Sequence, residues 1–142
     1  MDQALNPNEN DKSENKKKIY DLEERTAKFG EDVIRFCKKI PRNEITIPLI
    51  TQLIKAATSV GANYCEADDA ESNVDFKHKI GICKKESRES KHFIRMIVVA
   101  VSDLKPELIE EGRRLWKEAK ELNLIFNKIF RDVKNKINDN KK

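Results

Sequence analysis

The stretch SVGANYCEADDAES, residues 59–72, holds the end of one helix, a turn and the cap of another. Val60, Gly61, Ala62 and Tyr64 read as a packed helical surface. Ser72 or Asn73 offers a side-chain cap for the next helix, with Asp75 in the favourable first turn. Two helices joined by so short a turn, residues 67–71, lie side by side. Asn63 and Glu66 stand out inside the first of them, because neither is cheap to bury without a partner.

Upstream, the pattern predicts a helix over residues 47–66, with Pro48 tolerated in its first turn. Its inner face is Ile50, Leu53, Ala57, Val60 and Tyr64. Residues 46–65 carry one charge, Lys55, in a chain that is 38% charged. A helix neutral on every side is buried on every side. Four helices cannot bury one of their own completely, so a second subunit is the expected cover. Before it, Leu22, Thr26, Phe29, Val33, Phe36 and Ile40 recur at spacings of 4, 3, 4, 3 and 4. That stripe predicts a helix over residues 17–40, ended by Pro41.

Downstream, a third helix is expected from the Ser72–Asn73 cap to about residue 101, and a fourth from about Pro106 to residue 137. Leu108, Leu115, Ala119, Leu122, Phe126, Ile129 and Val133 stripe the fourth, with Trp116 to one side. The expected fold is all-α: an antiparallel up-down-up-down four-helix bundle over residues 16–137, assembling as a homo-oligomeric ring. Residues 1–15 and 138–142 lack apolar periodicity and are expected to be disordered tails.

Composition agrees. Four glycines, four prolines and 6% aromatics do not make a β-sandwich. Three cysteines, Cys37, Cys65 and Cys83, sit beside apolar residues without a C-x-x-C pair, and read as small buried hydrophobes in a reducing compartment. No apolar leader segment and no membrane-spanning run is visible, which points to a cytoplasmic location without membrane contact. No Ser-His-Asp or Cys-His arrangement and no glycine-rich phosphate loop appears, so neither catalysis nor a cofactor is expected. Glu89-x-x-His92 is half of a di-metal carboxylate pattern, but His78, the other histidine, lies on the same helix about 21 Å away, so no metal is expected.

Charge is more informative than its net value of +4. Residues 72–101 carry seven basic against three acidic residues. On a helical wheel, Phe76, Ile80, Cys83, Ile94, Ile97 and Val101 share one broad side, widened by Ile82, Phe93 and Ala100. Lys77, Lys84, Arg88, Lys91 and Arg95 gather opposite it, in an acid-free stripe about 27 Å long. Surface helices usually mix signs, so the stripe is a candidate contact for RNA or DNA phosphates. Aromatic stacking partners are absent from it, which predicts backbone-led binding with little sequence preference. Glu86 falls within the apolar side and Glu89 flanks it; with Asn63 and Glu66 they are expected to form a structural polar layer between the second and third helices.

Ser59-Val60-Gly61-Ala62-Asn63 followed by Glu66 resembles the S-[IV]-G-x-N-x-x-E motif of the 23S ribosomal RNA intervening-sequence protein family. Asp75-Phe76 is similar to that family's D-F at the start of the third helix, and residues 82–91, ICKKESRESK, resemble its I-A-x-K-E-x-x-E-[ST]-x segment. The resemblance spans about residues 18–136. Ala67 stands where the family carries glycine, and Asp68, Asp69 and Glu71 make the following turn acidic, so no nucleic-acid role is expected at the turn. The resemblance implies a bundle that assembles as a homopentamer, without known catalysis. It extends to the accessory variability proteins of diversity-generating retroelements, which implies nucleic acid and a reverse transcriptase as partners. Asn63, Glu66, Glu86 and Glu89 match motif positions and carry over as structural. Two functions follow as expectations: a nucleic-acid-binding accessory or scaffold, or an adaptor whose ring binds only protein.

Overall fold

A computed structural model describes residues 21–141; residues 1–15, expected as a tail, and the expected start of the first helix at 17–20 lie outside them. Four helices follow in order: α1 Leu22–Lys38, α2 Thr46–Asp68, α3 Asn73–Ala100 and α4 Pro106–Asn140. No strand forms among the described residues. The protein is all-α, with the makings of a four-helix bundle.

Each helix begins where local chemistry suits a helix start. Glu23 and Glu24 occupy the first turn of α1, and Arg35 and Lys38 its last, which complements the helix dipole. The Asn43 side chain accepts the N–H groups of Ile45 and Thr46, both at 2.9 Å, while the Asn43 N–H donates to Thr46 Oγ1 at 3.0 Å. This reciprocal pair anchors the start of α2. The Ser72 hydroxyl accepts the Asp75 N–H at 3.1 Å, as the sequence predicts. Pro106 opens α4, followed by Glu107. α4 continues three residues past the expected boundary at 137, into the stretch read as a tail. Its apolar stripe ends there, but loss of burial does not by itself end a helix.

The helices pack in a cycle. α2 lies between α1 and α3, α3 between α2 and α4, and α4 returns to α1 through the thinnest of the four seams. Phe29, Phe36, Leu53, Ile80, Ile94, Ile97, Leu115, Leu122 and Phe126 are fully buried at the centre. Burying such a side chain contributes about 1.5–3 kcal/mol. The α1–α4 seam is bridged by charge: Arg25 donates to Glu118 at 2.6 Å and to Glu121 at 2.8 Å, and Lys39 to Glu111 at 2.9 Å.

Small residues on α2 serve α1 directly. Ala57 is fully buried, and Gly61 lies so near Thr26 that a Cβ there would sit 3.4 Å from its backbone. Part of the neutrality of α2 is therefore explained within one chain. Ile45 and Ile47, at its start, are 65% and 52% exposed. Of the three cysteines, Cys37 and Cys83 are buried, and burial pushes their thiols up to about 11 and about 12. Cys65 is exposed, with its sulfur 3.7 Å from a Glu23 carboxylate oxygen, contrary to the reading of all three as buried. It lies on the side of α2 away from the core, which the neighbouring Tyr64 occupies. No described helix is long and apolar enough to cross a membrane.

Candidate nucleic-acid interface

α3 buries Ile80, Cys83, Ser87, Ser90, Ile94 and Ile97, at spacings of 3, 4, 3, 4 and 3. The axis of the buried face therefore runs through two serines. Phe76, Ile82 and Phe93 are only half-buried and lie off that axis. The basic stripe consequently flanks the core instead of opposing it. Lys77, Lys84 and Lys91, seven residues apart, lean against α4 and are half-buried, while Arg88 and Arg95 are exposed.

The lean brings the stripe onto aromatic rings that α3 itself lacks. The Lys77 and Lys84 ammonium groups lie over the Phe130 ring, 5.5 Å and 4.8 Å from its centre. Lys91 and Lys120 lie over the Trp116 ring at 5.8 Å and 5.5 Å. The expectation of a stripe without aromatic partners is corrected here: the rings come from α4. Only the packing of α3 on α4 brings the two helices into register, so no sequence window contains both sets. Trp116 beside the α4 stripe was the one visible signal.

None of Lys77, Lys84, Arg88, Lys91 and Arg95 forms a salt bridge among the described residues. A groove of about 730 Å³ runs over this face, with Lys84, Arg88, Glu89, His92 and Phe130 in its lining. A second, of about 440 Å³, adjoins Phe130 and includes Lys77, His78 and Lys85. A third, of about 250 Å³, lies between Arg95, Arg113 and Trp116 at the other end of the seam.

The four residues expected to form a polar layer are not brought together by any hydrogen bond or ion pair among the described residues. The Asn63 amide donates to the Ser59 carbonyl of its own helix at 2.8 Å. Glu66 is exposed and pairs with Lys79 of α3. Glu86 and Glu89 are half-buried, and neither side chain has a hydrogen-bonding partner there. Partial burial raises the Glu86 carboxyl, and nearby Glu89 raises it further, against the lowering pull of Lys85 and Lys55. Glu86 falls short of a layer because it sits to one side of the axis through Ser87 and Ser90.

A different polar cluster occupies the α3–α4 boundary. The Asn123 amide donates to the Lys84 carbonyl at 2.8 Å and to Ser87 Oγ at 3.3 Å, and Asn127 donates to Asn123 Oδ1 at 3.2 Å. The signal for it was two serines at heptad positions of α3. Among the described residues no group of three or more His, Cys, Asp or Glu side chains is placed to hold a metal ion.

A solved structure of similar shape is a protein of unknown function from the S23 ribosomal protein family of Bacteroides thetaiotaomicron VPI-5482. It is 21% identical, covers 77% of this chain and 97% of its own, and superposes with a TM-score of 0.65, a likeness of fold. No curated protein matches the sequence significantly. The family model for the 23S rRNA-intervening sequence protein matches residues 18–100, which take in the S-V-G-A-N motif, the Asp75-Phe76 pair and the whole of the basic helix α3. The chain belongs to the 23S rRNA-intervening sequence protein family.

Proposed function

We propose that this protein is a non-enzymatic accessory or scaffold that binds nucleic acid through the phosphate backbone, on the basic face of α3. One observation carries the reading: five basic residues share a face, and none of them is neutralised by a carboxylate among the described residues. Free cations in a row gain by releasing the counterions of a phosphate chain. The proposal takes the helices as antiparallel, up-down-up-down. Contacts at successive levels support this: Arg25 near the start of α1 meets Glu118, while Lys39 beyond its end meets Glu111, earlier in α4.

Self-association into a ring, a homopentamer, belongs to the same proposal. Ile45, Ile47 and Leu124 are exposed apolar residues that a second copy would cover. A cytoplasmic location and a reverse transcriptase as protein partner rest on composition and on the resemblance to retroelement accessory proteins. The exposed apolar residues also favour the second reading, an adaptor that binds protein alone.

Salt separates the two. Wild type and a variant carrying Lys84→Glu, Arg88→Glu and Arg95→Glu are compared by fluorescence anisotropy with structured RNA and duplex DNA. Wild-type affinity is expected to fall by orders of magnitude between about 50 and 200 mM salt, and the variant to lose binding at the lower salt. Circular dichroism checks that the variant stays helical. If wild type binds neither ligand at low salt, or the variant binds as well as wild type, the adaptor reading replaces this one.

A further inference from the structure

The rings beneath the stripe say more than that phosphates are bound. Trp116 and Phe130 stand 14 residues apart on α4, about 21 Å along the axis. Both are half-buried and packed against the edge of the core, and lysine ammonium groups lie over each ring. Each ring also borders an open groove. An aromatic side chain that a helix merely buries would pack against carbon on both faces. On these two, movable lysine ammonium groups cover part of the ring at the edge of a groove, and those lysines have no ion-pair partner among the described residues.

A flat ring next to a cation is what a nucleobase and its phosphate need, provided the base is unpaired. In a duplex the bases are stacked inside and present only their edges to a groove. A single strand can lay a base on the ring while its phosphate takes the lysine. The ammonium then exchanges a weak contact with a ring face for a charge-assisted contact with an anion. At the stacked rise of about 3.4 Å per nucleotide, the distance between the rings corresponds to roughly six nucleotides, and to fewer in an extended strand.

We infer that the α3–α4 seam is a track for single-stranded nucleic acid, with bases stacking on Trp116 and Phe130 and phosphates held by Lys77, Lys84, Lys91 and Lys120. The inference rests on the backbone-binding reading and narrows it. The acid-free flank of α3 supplies a charged edge, and the aromatic residues of α4 supply the stacking surface. Stacking tolerates any base, so the track discriminates strandedness, not sequence.

Trp116 is the only tryptophan of the chain, so wild-type protein reports the contact without substitution. Its fluorescence is followed while oligo-dT or oligo-U of about 12 nucleotides, or a duplex of equal length, is added at about 50 mM salt. Single strands are expected to quench the emission to saturation, and the duplex to leave it unchanged. Phe130→Leu keeps an apolar side chain but removes the ring; it is expected to weaken single-strand binding about tenfold and duplex binding less than twofold. Equal quenching by duplex, or binding of single strands without quenching, overturns the inference and leaves the backbone reading standing. Binding of neither strand type by wild type overturns both.

Discussion

Asn123 joins α4 to α3 in the buried interior, bonding to the Lys84 carbonyl and Ser87 Oγ. Asn123→Ala removes the donor to the Lys84 carbonyl and the Ser87 oxygen and the acceptor of Asn127, while the Ser87 hydroxyl keeps its own bond to the Lys84 carbonyl at 3.0 Å. We expect a loss of about 1–3 kcal/mol in urea melts. Glu86 behaves in the opposite way. Its carboxyl is raised by partial burial first and by Glu89 second, so the folded state holds the charged form less well than the unfolded chain does. Its favourable contribution is full below the ordinary glutamate range and is lost as pH rises through the raised value. Glu86→Gln keeps the shape without the charge. It is expected to stabilise slightly at pH 7, by less than about 1 kcal/mol because the group is partly solvated, and to make no difference at acid pH. A stability loss at pH 7 would show that the carboxylate has a partner. Residue identity alone could not separate these two cases. Glu86 looked buried because Ile82 and Phe93 drew the apparent apolar face toward it, whereas the polar residues that are buried, Ser87, Ser90 and Asn123, counted against the core in any hydropathy pattern.

At the level of elements, the legible parts were those decided locally. The Ser72 cap, the proline at the start of α4 and the 4-3-4-3 stripe of α1 depend on neighbours within a few residues, and all appear as expected. The approach between helices is not local. Gly112, on α4, illustrates it: a Cβ there would come 2.6 Å from Val98 Cγ2 and 3.2 Å from the Phe36 ring. Alanine is the better helix former by about 1 kcal/mol. Here that gain is outweighed, because a stiff valine on α3 and a packed phenylalanine on α1 would both have to move. We predict that Gly112→Ala lowers stability by about 1–2 kcal/mol in chemical denaturation, the overpacking cost exceeding the propensity gain. A stabilised variant would mean that α4 can slide away from α3 at little cost. The same dependence on helix approach hid the rings of Trp116 and Phe130 from a reading of α3 alone.

At the scale of the whole molecule, the surface is divided. One seam, α3 with α4, gathers cations without an ion-pair partner among the described residues, whereas Ile45, Ile47, Val99 and Leu124 leave apolar area exposed. A chain of 16.5 kDa with such residues exposed is expected to associate, and light scattering at micromolar concentration in moderate salt should give several times that mass, five times for a pentamer. A mass near that of one chain would remove the ring from the proposal. Within each copy, α1 and α4 meet through the thinnest seam, where Arg25, Lys39 and Arg114 reach acids across it beside the buried Phe29, Phe36 and Leu115. Charges at a surface weaken as ions crowd around them, while oily contacts do not. Such exposed pairs are worth at most about 1 kcal/mol each, less than one buried ring of α1. We therefore expect added salt to leave the temperature at which this protein clumps almost where it was, because the sticky rings are bared only when the core itself lets go of α1.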